Sequence, residues 1–104
     1  MKLKYILGST LCAVFINMSS YAGGVIKFPS EAAVCAGCHG QNGVGLASAY
    51  PNLAGQKKEY LIKQLNAFKS GARKDPTMNG MARALSSEAI KTIATYYSSL
   101  TPSK

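Results

Sequence analysis

The chain has 104 residues and a formal net charge of +8, from 12 Lys and Arg against 4 Asp and Glu, with 47% hydrophobic residues. That length reads as one small domain. Three cysteines and one histidine argue against a zinc centre built from two paired half-motifs, and the scatter of the lysines argues against nucleic-acid binding.

Met1-Lys2-Leu3-Lys4 is a short positive start, Tyr5 to Ile16 is largely apolar, and Asn17 to Ala22 is more polar, with small residues at Ser20 and Ala22. This is the layout of a secretory signal cleaved after Ala22. The apolar run is well short of the ~20 residues a spanning helix needs. A lipid anchor on Cys12 is disfavoured because Leu11 before it is larger than lipoprotein processing sites usually tolerate. The expectation is a signal peptide over 1–22, export to the periplasm without a stable membrane anchor, and a mature domain over 23–104 that keeps Cys35 and Cys38. Its 82 residues carry a charge of +6. A domain of that size needs a staple beyond its own apolar core.

Phe28-Pro29-Ser30-Glu31 reads as a helix start, with Ser30 as cap and Glu31 near the positive helix end. The helix carries Ala32 to Cys38. Within it, Cys35-Ala36-Gly37-Cys38-His39 is the Cys-x-x-Cys-His pattern by which a c-type haem is attached. Cysteines three apart on a helical turn project to one side, where each sulfur can form a thioether to one porphyrin vinyl group. His39 then follows as an axial iron ligand. A disulfide between Cys35 and Cys38 would close too short a loop to constrain much.

Residues 40–55 contain Gly40, Gly43, Gly45, Pro51 and Gly55 and read as loop. A second helix is expected from about Lys57 to Ser70, with Leu61, Leu65 and Phe68 as its apolar stripe and Gly71 as its stop. Residues 72–85 read as irregular, broken by Asp75-Pro76 and Gly80. The last helix begins at Ser86, carries Ile90, Ile93, Ala94, Tyr97 and Leu100 at helical spacing, and ends at Pro102. No segment alternates as a strand, so the fold class is all-α, and a thioredoxin-like dithiol lacks the βαβ context it requires.

His39 is the sole histidine, so a second iron ligand must be of another kind. The candidates are Met78 and Met81, whose thioethers are soft ligands that favour ferrous iron and raise the potential. The plainer role of a methionine is core filler, and with two available one can ligate while the other packs. Arg73 and Lys74 are candidates for neutralising a haem propionate, or are solvated surface charge.

Ala33 to Gly40, Pro51 to Gln56, Tyr60 to Leu65, Met78 to Met81, Leu85-Ser86 and Ile93 to Tyr97 together resemble a small class I cytochrome c, and within that group a single domain of the cytochrome c4 type. The resemblance implies three main helices and loops wrapped around one covalent haem c. It implies Met78 as the axial methionine, seven residues before Leu85. It also implies that the Pro51 carbonyl accepts a hydrogen bond from the proximal histidine, and that Tyr96 packs the last helix against the first. Cytochrome c4 proper has two such domains in tandem, so a two-haem arrangement is not implied by one.

The expected function is one-electron transfer without catalysis, by an iron cycling between ferric and ferrous states with His39 and Met78 as ligands. The lysine excess suits redox partners with acidic docking surfaces, such as an oxidase, a dehydrogenase or a flavoprotein. Two other uses of the same haem are a subunit of a larger periplasmic redox enzyme and a gas-binding or peroxidatic centre with an open iron position.

Overall fold

In the computed structural model, residues 26–103 and Gly8 are described. The expected signal peptide, Cys12 and the cut after Ala22 lie outside the described residues. The chain enters at Pro29, whose backbone is extended and whose carbonyl accepts the Ala32 N–H at 3.0 Å. A single 3₁₀ turn, Ser30–Ala32, runs directly into α1, Ala33–His39. Ser30 does not cap it. Its hydroxyl instead turns to the Glu31 carboxylate at 3.3 Å, because Pro29 already occupies the capping position and Ser30 lies inside the turn.

The second helix, α2, spans Lys58–Ser70 and ends where Gly71 adopts a left-handed conformation with φ 82°. That conformation is strained for residues bearing a Cβ, which is why glycine stands there. Leu61, Leu65 and Phe68 face inward as their spacing requires. The fourth helix, α4, spans Ser87–Ser99 and is capped by the Ser86 hydroxyl, which accepts the Ala89 N–H at 3.0 Å. Ile90, Ile93, Ala94, Tyr96 and Tyr97 are its buried face. Burying each isoleucine contributes about 1.5–3 kcal/mol. Ala32 and Ala94 have no exposed surface at all, and their small side chains let the start of the first helix lie close against α4.

Residues 72–85 are not irregular throughout. They contain a helix, α3, over Pro76–Arg83. The Asp75 carboxylate accepts the N–H groups of Thr77 at 3.0 Å and Met78 at 2.8 Å, and Pro76 takes the first helical position, where it loses no hydrogen bond. The Asp-Pro pair is therefore a helix start rather than a breaker. Asn79 then ties α3 to the end of α2. Its amide nitrogen donates to the carbonyls of Phe68 and Arg73, both at 2.8 Å, and its oxygen accepts the Asp75 N–H. Gly80 is tolerated mid-helix on an open face, with no heavy atom within 4 Å of where a Cβ would stand.

The segment 40–55 is an ordered loop closed on itself. The Gly43 carbonyl accepts the N–H groups of Leu53 at 2.8 Å and Ala54 at 3.0 Å. Gly43 has φ 75°, and a Cβ there would stand 2.6 Å from the Ala54 nitrogen. Gly43→Ala therefore combines left-handed strain with a backbone clash that no rotamer relieves. We expect a loss of roughly 1–3 kcal/mol and a fall in thermal midpoint on the order of 10 °C, read by circular dichroism of the purified protein.

Candidate haem site

The first helix places Cys35 and Cys38 one turn apart and ends on His39. Both cysteines are free thiols, each partly buried. Burial raises the Cys35 thiol above its ordinary pKa, opposed by a smaller lowering from a backbone hydrogen bond. Both thiols are unlinked and stand one helical turn apart on α1.

His39 is buried, with 8% of its surface exposed. Its Nδ1 lies 2.8 Å from the Pro51 carbonyl oxygen. A carbonyl only accepts, so Nδ1 carries the proton, and Nε2 keeps its lone pair for a metal. The loop supplies this carbonyl through its own internal ties. Asn52, next to Pro51, accepts the Gly45 N–H at 2.8 Å through its side-chain oxygen. The Cys38 carbonyl accepts the Leu46 N–H at 2.9 Å, which brings the loop back beside the motif. Two thiols one helical turn apart, followed by an imidazole with a single free nitrogen, form a donor set that fits a covalently attached haem. Among the described residues no three His, Cys, Asp or Glu side chains converge on a common metal position.

Met78 and Met81 stand three residues apart on α3. Met78 is partly buried and packs against the core cluster, whereas Met81 is 47% exposed. The segment that carries them is a capped helix pinned through Asn79, not a loop free to slide. Exchanging Met81 for Met78 would need a rotation of α3 against the Asp75 and Asn79 hydrogen bonds. Arg73 is engaged elsewhere: its guanidinium donates to Gln64 Oε1 at 2.8 Å and lies 4.6 Å from the centre of the Phe68 ring. Lys74 lines a groove with Lys69 and Arg83 beside the junction of α2 and α3.

Tyr96 packs edge-on against Phe28, with ring centres 5.3 Å apart, and so joins α4 to the segment that enters the first helix. Its hydroxyl donates to the Gln41 carbonyl. Tyr97, fully buried, donates to the Gly40 carbonyl at 3.1 Å. The sequence marked Tyr97 only as part of an apolar stripe. The consecutive tyrosines of α4 were the available signal that two hydroxyls would need buried or half-buried acceptors.

A family model described as cytochrome c matches residues 30–101. The chain is 50% identical over 76 residues to a thiosulfate dehydrogenase electron acceptor of Thiomonas intermedia, an alignment covering 72% of this chain and 35% of that protein. It is 43% identical over 81 residues to cytochrome c-554(548) of Halomonas halodenitrificans, covering 75% of this chain and 98% of that one. Among solved structures, a cytochrome c4 of Acidithiobacillus ferrooxidans superposes with a TM-score of 0.62 at 39% identity, over 72% of this chain and 41% of the other. The chain thus spans about a third of the Thiomonas relative and nearly all of the Halomonas one in the aligned comparison.

Proposed function

Because the chain belongs to the cytochrome c family, we propose that it is a one-electron carrier that shuttles between redox proteins and performs no catalysis of its own. Its cofactor is haem c, bound covalently through Cys35 and Cys38 of the Cys-x-x-Cys-His segment. Haem c supplies an iron that takes up and gives up one electron. The observation that carries the reading is the His39–Pro51 hydrogen bond directly after the two thiols, since it fixes the tautomer and orientation an axial ligand needs.

In this reading His39 and Met78 would hold the iron, Pro51 would orient His39, and residues 23–104 would be the mature periplasmic domain after removal of 1–22. With both residues on the iron no place would remain for a substrate, and helices held by caps and cross-ties would limit movement between oxidation states. No side chain acts as acid, base or nucleophile. Among the described residues no helix is long and apolar enough to cross a membrane. Lys27, Lys58 and Lys91 border one groove between the segment before the first helix and α4, which supports docking to an acidic protein surface. The name of the Thiomonas relative supports a dehydrogenase as donor.

The test is expression in a host that matures c-type cytochromes. The pigment is expected to survive acid–acetone extraction at one haem per chain and to titrate as a one-electron couple. Extractable haem, or zinc in its place, would sink the proposal.

A further inference from the structure

Tyr97 holds both ends of the loop that carries Pro51. At one end its hydroxyl donates to the Gly40 carbonyl, immediately after His39, at 3.1 Å. At the other its main-chain carbonyl accepts the Gly55 N–H at 3.0 Å. Between these points lie Pro51, whose carbonyl meets His39 Nδ1, and Asn52, whose side chain ties the two limbs of the loop by accepting the Gly45 N–H. Gly43 completes the closure by accepting from Leu53 and Ala54. The ring of Tyr97 has no exposed surface, so its hydroxyl cannot exchange the Gly40 carbonyl for water. Burial above all pushes its ionisation well above the ordinary tyrosine range, which keeps the hydroxyl proton available for the Gly40 carbonyl.

We propose that Tyr97 is a positioning residue for His39: it clasps the two ends of the loop, with Asn52 as the loop's own cross-tie, and so keeps the Pro51 carbonyl on His39 Nδ1. The inference rests on the haem-carrier reading and extends it to what tunes the iron. A carbonyl that accepts from Nδ1 makes the imidazole a stronger donor through Nε2, which favours the ferric state and lowers the potential. Loosening the clasp weakens that bond and raises the potential.

Tyr97→Phe tests this cleanly, because it keeps the buried ring and removes one hydrogen bond. The Gly40 carbonyl is not orphaned, since it still accepts the Gly43 N–H at 3.2 Å, so the penalty of an unsatisfied buried group does not arise. Asn52→Ala is the second variant, at an exposed side chain outside the core. Ile90→Val serves as a control that loosens the core cluster at a side chain with no part in the hydrogen bonds that close the loop. Each haem-loaded protein is read by redox titration and by the exchange lifetime of the His39 Nδ1 proton in NMR of the reduced form.

Tyr97→Phe and Asn52→Ala are expected to raise the potential and to shorten the proton's lifetime at least tenfold. Ile90→Val is expected to lower the thermal midpoint and change neither. Should Tyr97→Phe not fold, Asn52→Ala decides: a shift in both readouts upholds the proposal, and no shift overturns it. Equal shifts in Ile90→Val also overturn it, as they would show a general loosening. Wild-type protein without covalent haem overturns the carrier reading and this inference with it, whereas stable haem with unmoved variants overturns this inference alone.

Discussion

Replacing Cys35 and Cys38 together by alanine is expected to yield a chain with no covalent haem and no cooperative thermal transition. The described core is small for a free-standing domain. Its large members are Leu61, Leu65, Phe68, Ile90, Ile93, Tyr96 and Tyr97, drawn from two of the four helices. Domains of this size seldom gain more than about 3–5 kcal/mol from a single apolar core. Losing the group that staples the first helix to the rest removes the margin. The measurement is a haem stain after denaturing electrophoresis, with a far-ultraviolet melt. A double variant that melts as cooperatively as the wild type would show that the polypeptide core is sufficient alone, and the cofactor would then not be structural.

The second large effect concerns α3. Met78→Ala is expected to abolish the weak sulfur-to-iron band of the ferric protein, to lower the reduction potential, and to let carbon monoxide bind the ferrous form. If Met78 holds the iron, removing its thioether would withdraw the preference for ferrous iron and free a place for an added ligand. Because Met78 also packs against the core cluster, stability should fall by about 2 kcal/mol, the lower end for a methionine truncation. Met81→Leu should leave band, potential and ligand binding nearly unchanged and cost less than about 1.5 kcal/mol, since Met81 is 47% exposed. The reverse pattern would assign the ligand to Met81. That outcome would require α3 to turn against the Asp75 cap and the Asn79 ties to Phe68 and Arg73.

What the sequence determined by itself is what short-range chemistry determines. Cys35, Cys38 and His39 carry their meaning in their spacing, because three residues along a helix set two sulfurs on one side. Gly71 and Ser86 act within one turn of themselves, and the stripes of α2 and α4 follow from helical period, so the buried faces, the end of α2 and the start of α4 were legible, whereas α4 stops at Ser99 and leaves Leu100, expected on its stripe, in extended backbone. The start at Ser30 was not, because a 3₁₀ turn and a capped α-helix begin with the same residue types, and Pro29 took the position that Ser30 was expected to fill. The helix over Pro76–Arg83 was hidden for a related reason. Asp-Pro starts a helix or breaks one, and the choice depends on what holds the first turn, here the Asp75 carboxylate and an Asn79 side chain that satisfies carbonyls at the end of α2.

The clasp at Tyr97 belongs to the tertiary structure alone. Its hydroxyl and the Gly40 carbonyl are 57 residues apart in sequence, and no local pattern specifies which buried oxygen a tyrosine will find. Only the packing of α4 against the start of the first helix brings them together, because a buried hydroxyl must donate to whatever acceptor the fold leaves within reach.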